Sequence, residues 1–206
     1  MSITTYSELK SAVADFLNRD DLTSAIPTFI SLAEADFNRN IRHWRQEIRA
    51  TAQIAGQYSA VPGTWLESIR FQITDNPPSE LELLSQAEIV DLRESSADVV
   101  GRPRFYAMTG GQFEFYPTPG EVYNAELVYF GEIVALSDIN TSNWLLDLAP
   151  DAYLYGSLAQ AAPYLKDDAR LQVWTGLYGG AVAAVNRDNE RARFGGSGLR
   201  RRVSSY

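Results

Sequence analysis

Apolar residues recur at helical spacing toward both ends of the chain and at alternating spacing in its middle. Between Asp147 and Asn189, Tyr153, Leu154, Ser157, Leu158, Ala161 and Leu165 form one stripe at the period of a helix. Leu171, Trp174, Tyr178, Ala181, Val182 and Val185 form a second. Pro150 stands where a first helical residue belongs, a position that loses no hydrogen bond. Pro163 should distort the end of the first helix, and Lys166-Asp167-Asp168 supplies a polar turn with a carboxylate for the next start. The result is a helical hairpin that must bury its stripes against other helices or another subunit. At the other end, Thr5-Tyr6-Ser7-Glu8 reads as a capping box, followed by Leu9, Ala12, Val13, Phe16 and Leu17 and a stop near Asn18. A second helix should start at Thr23 or Ser24, accept Pro27 in its first turn and run through Ile26, Phe29, Ile30, Ala33, Phe37, Ile41 and Trp44. Its expected end is His43 to Arg45, where Arg39, Arg42, His43 and Arg45 complement the helix dipole.

The period changes at Glu47. Ile48, Ala50, Ala52 and Ile54 alternate with polar residues, as do Ile69, Phe71 and Ile73, so each set predicts a strand with those side chains on one face. Leu81 and Leu83 mark a short strand, and Ser85-Gln86-Ala87-Glu88 is a second capping box with Ile89 and Leu92 inward. Gly110-Gly111 turns the chain between 102–109 and 112–116, and a longer strand covers Tyr123 to Gly131. Gly and Pro turns between successive strands predict a meander. The expected fold is α+β: a four-helix bundle built from N- and C-terminal helical hairpins, with an inserted antiparallel β-rich domain and an extended C-terminal arm. In residues, 1–46 and 136–193 make the bundle, 47–135 the insertion with one short helix, and 194–206 a flexible basic arm.

Composition adds bounds. The chain has 206 residues, 45% hydrophobic and 21% charged, which suits one domain with a real core or a domain with a sizeable insertion. It has no cysteine, which excludes a disulfide framework, a thiolate metal site and a cysteine nucleophile. No basic region followed by an apolar run opens the chain, so no signal peptide is expected, and no apolar stretch approaches a membrane span. From Arg191 to Tyr206 there are five arginines and no acid; removing that +5 from the net charge of −8 leaves residues 1–190 at −13. A basic tail on an acidic body is an asymmetry that points to contact with a partner, and the acidic body argues against a broad nucleic-acid face.

Ordered words along the chain carry a family resemblance: T-Y-S-E-L-K-S-A-V-A-D-F-L-N-R-D-D-L, I-P-T-F-I-S-L-A-E-A-D-F-N-R-N-I-R, V-P-G-T-W-L-E, G-R-P-R-F-Y, G-G-Q-F-E-F-Y-P-T-P, N-W-L-L and P-D-A-Y-L-Y-G-S-L-A-Q-A-A. The chain resembles the head-to-tail adaptor proteins of short-tailed bacteriophages, the group that includes tail tubular protein A. The resemblance implies a structural, non-enzymatic virion protein at the portal vertex, present in the host cytoplasm during assembly. It implies a ring, typically dodecameric, of neighbouring copies below the portal protein. That ring would extend the channel for packaged DNA, bind no sequence, and carry the tail nozzle or a tail fibre protein. The family fold is a helical bundle with an inserted β-rich domain, and its C-terminal segment reaches onto the portal. Here that segment supplies Arg191, Arg193, Leu199, Arg200, Arg201, Arg202, Val203 and Tyr206: arginines for paired contacts to carboxylates, apolar residues as anchors. DNA contact and a solvated tail are the alternatives for the same residues.

Other candidate chemistry reads more plainly. His43 is the single histidine and reads as structural, since a zinc site beside it would need carboxylates alone. Asp20-Asp21 and Asp167-Asp168 lie at helix boundaries and read as caps before a cation site. Gly179-Gly180 inside a helix suggests close helix packing, with a bend second. Phe105-Tyr106 and Phe113-Phe115-Tyr116 suggest core or subunit packing before base stacking. No cofactor or metal is expected. Two other functions stay open: a monomeric protein-binding module without a ring, and a small carboxylate-dependent hydrolase needing two acids with pKa values pushed apart.

Overall fold

The computed structural model describes residues 3–19, 21–96, 99–165 and 168–195. The fold is mixed α and β. It divides into two compact units: Met1–Arg45 with Ile133–Tyr206, as far as these are described, and Gln46–Glu132.

The first unit holds α1 (Tyr6–Leu17), α2 (Ile26–Asn40), the short α4 (Trp144–Leu148), α5 (Pro150–Leu165) and α6 (Asp168–Phe194). In α1 the Thr5–Glu8 box is closed in both directions, and Asn18 ends the helix in the left-handed region at φ 50°. Helix α5 touches α1, α2 and α6. Their shared core includes Leu9, Val13, Ile30, Phe37, Tyr153 and Leu158, all almost fully buried. Each such side chain removed from water contributes about 1.5–3 kcal/mol. Pro150 is the first residue of α5, and Pro163 lies inside its last turn. Gly156 is a true close approach. A Cβ there would stand 3.3 Å from Ala33 of α2, Phe37 of α2 and Tyr178 of α6.

Helix α2 differs from expectation at both ends. Its N-cap is Ala25, without a side-chain cap, and it stops at Asn40, with Ile41 already extended. The stop has a side-chain cause. Arg42 folds back and its Nη1 donates to the carbonyls of Asn38 and Ile41, both at 2.8 Å, which satisfies helix-end acceptors. Ile41 and His43 are then buried, and Trp44–Gln46 form a 3-10 turn.

The second unit holds β1 (Glu47–Ile54), β2 (Tyr58–Ala60), β3 (Trp65–Ile73), β4 (Ser79–Glu80), β5 (Glu82–Leu83), α3 (Gln86–Ser96), β6 (Val100–Gly101), β7 (Phe105–Thr109), β8 (Gln112–Tyr116), β9 (Thr118–Pro119) and β10 (Tyr123–Gly131). The expected meander is not what forms. One sheet runs β1-β10-β3-β4 and another β2-β8-β7-β5, so the last strand lies between the first and third. The pairs β5–β7 and β6–β9 are parallel. Glu47 lies opposite Phe130, so the chain enters and leaves this unit side by side.

Two strand faces also differ. Val128 pairs with Arg70 and Tyr129 with Ser68, so Ile69 is the extra residue of a bulge and is 38% exposed instead of sharing the face of Phe71 and Ile73. In β1, at the sheet edge, only Ile54 is fully buried and Ile48 is exposed. The short strand expected at Leu81 and Leu83 is split: Leu81 lies buried between β4 and β5, which belong to different sheets, and Leu83 is exposed in β5. The two sheets share a core in which Phe71 meets Tyr106, Phe113 and Phe115 edge-on at 5.2–5.6 Å. Gly110 (φ 58°) and Gly111 (φ 78°) make the β7–β8 turn, the mirror-image type that matches strand twist.

Candidate functional site

The arm expected at the C-terminus is rooted in α6. The inner stripe of that helix, Trp174, Ala181 and Val185, is buried, with Leu171, Tyr178 and Val182 packed against the same core. The Tyr178 hydroxyl donates to Asp36 of α2, and its ring lies 5.9 Å from Phe37. The last turn carries Arg191 and Arg193, both exposed. Arg193 Nε donates to Asn189 Oδ1 at 3.2 Å. Gly195 N–H closes on the Arg191 carbonyl at 2.8 Å, and a Cβ at Gly195 would stand 2.4 Å from that oxygen. A glycine therefore ends the helix. Leu199, Arg200, Arg201, Arg202, Val203 and Tyr206 lie outside the described residues.

One cluster ties this root to the unit. His43 is fully buried, with its ring stacked on Trp144 at 4.9 Å between centroids. The Arg45 N–H donates to His43 Nδ1 at 3.2 Å, so that nitrogen is the unprotonated one and Nε2–H faces Asp188 Oδ2 of α6 at 3.4 Å. Burial pushes the imidazole pKa down, and the Asp188 carboxylate pulls it only partly back. Trp44 N–H donates to Asn189 Oδ1 at 2.9 Å, and Asn186 Nδ2 to the Asn40 carbonyl at 3.4 Å. The end of α2 is thus bolted to the last three turns of α6. His43 is thus enclosed at this junction, between Trp144, Arg45 and Asp188.

The buried carboxylates are each held by their own donors. Glu34 accepts from Leu136 N–H at 2.7 Å and Tyr153 O–H at 3.1 Å, and burial raises its pKa. Glu114 takes Arg93 Nε at 3.1 Å, Gln57 Nε2 at 3.0 Å and Thr109 Oγ1 at 3.0 Å. Glu126 bridges Arg49 and Arg70 across three strands, and the Arg49 hydrogen bond first, then Arg70, holds its carboxyl below the usual range.

Other sequence candidates take ordinary places. Asp21 does not cap α2; Arg19 holds it in a two-point pair at 2.6 Å. Asp20 and Asp167 lie outside the described residues, and Asp168 begins α6. Tyr106, Phe113, Phe115 and Tyr116 are buried in the second unit. Gly179 and Gly180 do not mark a close helix contact within the chain, since a Cβ at either meets nothing within 4 Å. The packed glycine is Gly156, which no motif announced; its only signal is a glycine amid large residues of an apolar stripe. Among the described residues, no group of three or more His, Cys, Asp or Glu is placed to hold a metal ion, and no helix is long and apolar enough to cross a membrane.

Comparison of the chain with curated proteins gives no match. Comparison with family models matches the SU10 adaptor protein over residues 4–202, which takes in both units and most of the arm. A match of that length, over helices, sheets and loops alike, shows that the chain belongs to the SU10 adaptor protein family.

Proposed function

We propose that this chain is a structural adaptor of a bacteriophage virion, a ring subunit that sits below the portal and carries the tail. The observation that carries the reading is the family match over residues 4–202. In this reading α1, α2, α5 and α6 are the helical bundle of the ring wall, and residues 47–135 are an insertion within it. Glu47 lying opposite Phe130 supports an insertion, because both ends then leave at one place.

The ring contact is heterologous, front of one copy to back of the next, and closes at about twelve copies by analogy with such rings. DNA passes through without sequence-specific contact, and the −13 carried by residues 1–190 suits a conduit to which DNA does not adhere. The tail nozzle or a fibre protein binds the outer side. The portal-docking arm is Arg191, Arg193, Leu199, Arg200, Arg201, Arg202, Val203 and Tyr206. Support for it comes from the charge contrast with the body and from the anchored position of its root on α6. The reading needs no catalytic residue and no cofactor.

Mixing the purified chain with the portal of its own phage and weighing the product by native mass spectrometry tests the proposal. A portal complex carrying a ring's worth of added copies is the expected result. Free portal beside free chain at every salt concentration overturns it.

A further inference from the structure

A groove of about 460 Å³ lies on the second unit, between α3 and the neighbouring strands β5 and β7. Its floor is apolar: Leu84, Leu92 and Phe105, each half-buried. Its rim is acidic: Glu82, Glu88 and Asp91, all exposed, and no lining residue is basic. Glu88 also accepts from Ser85 N–H and Oγ, at 2.8 and 2.7 Å, and these bonds keep its carboxyl below the usual range, so it stays charged. Arg93, the one base on α3, is committed to Glu114, the Thr118 hydroxyl and the Phe115 carbonyl, so it does not neutralise the rim.

Such a groove fits a segment with apolar side chains set among guanidinium groups. The chain itself holds one: Leu199-Arg200-Arg201-Arg202-Val203, its two apolar residues four apart, and its three bases the only run of three in the sequence. Gly195-Gly196-Ser197-Gly198 precedes it, a composition that gives reach. We propose that the acidic groove between α3 and β5–β7 binds the basic segment Leu199–Tyr206 of this chain. The matching charges favour encounter, and the apolar floor takes Leu199 and Val203. The free protein thereby keeps its arm covered until a stronger partner takes it. This contact is independent of what the arm meets in an assembled particle.

The absence of cysteine allows a direct test on the full chain without portal. Ser95→Cys, at the groove, is combined with Ser204→Cys, in the arm, and crosslinking under a mild oxidant is read on a non-reducing gel. Thr51→Cys with Ser204→Cys, on an exposed strand of β1, is the control. The expected result is selective trapping at the groove that falls at least about fivefold in 0.5 M salt, or when Glu82→Lys and Asp91→Lys are added. A band at monomer mobility assigns the arm to its own chain and one at dimer mobility to a second copy; both support the proposal. No trapping, equal trapping at the control, or trapping indifferent to salt and charge reversal overturns it. Thermal unfolding of each variant confirms that it folds. Because no portal is present, failure here leaves the adaptor reading standing.

Discussion

Glu34 is buried between two donors, and its raised pKa means that folding favours its protonated form. The stability it contributes is therefore full below the pKa of an exposed glutamate, about 4.3, and is lost as pH rises through its higher folded value. Glu34→Gln keeps an acceptor for Tyr153 and Leu136 and removes the buried charge. It should gain stability relative to the parent near pH 7 and lose that advantage near pH 4, read by denaturant unfolding. Glu34→Ala leaves both donors unsatisfied and should cost about 1–3 kcal/mol at either pH. His43 has the opposite sign. Its lowered pKa favours the neutral ring on folding, so its contribution is present above the free imidazole value of about 6.5 and is lost as pH falls through the folded pKa. As the only histidine, it can be titrated by NMR without overlap. The expected pKa lies below 6.5, and a value above it would contradict the burial argument.

At the scale of elements, the glycines of α5 and α6 separate two roles. Gly179 and Gly180 face open space, so Gly179→Ala and Gly180→Ala should each stabilise the isolated chain by about 0.5–1 kcal/mol through helix propensity. Gly156→Ala should destabilise it by about 1–3 kcal/mol, because Ala33, Phe37 and Tyr178 must all give way. Thermal unfolding of the three variants reads the contrast directly. Local rules carried the sequence reading far here. Thr5 with Glu8, Ser85 with Glu88, Gly110-Gly111 and Pro150 each fix an end or a turn through neighbours a few residues away. What failed was non-local. The end of α2 depends on Arg42 folding back and on the burial of His43 against α4 and α6. Ile69 left its predicted face because a bulge breaks the period that the alternation assumed. The meander failed because β10 pairs with β1 and β3, a choice made by long-range burial that turn residues do not report.

For the whole molecule, the charge asymmetry was legible from composition, and the family from ordered words that record packing and turns. Of the candidate arm, only Arg191 and Arg193 fall in the described structure, on the last turn of α6. The acidic groove was not legible, since Phe105 joins Glu82, Glu88 and Asp91 in it only through the parallel pairing of β5 with β7. Two features of charge then need an account: a basic C-terminal sequence on an acidic chain, and an acidic groove on the second unit. The proposed role is a ring built on the portal and docked there through the arm. Electron microscopy of the portal with the full chain, beside a chain ending at Gly195, tests it most directly. The expected result is a ring of added density with the full chain and bare portal with the shortened one. Bare portal in both would contradict the adaptor ring, and equal rings in both would contradict docking through the arm.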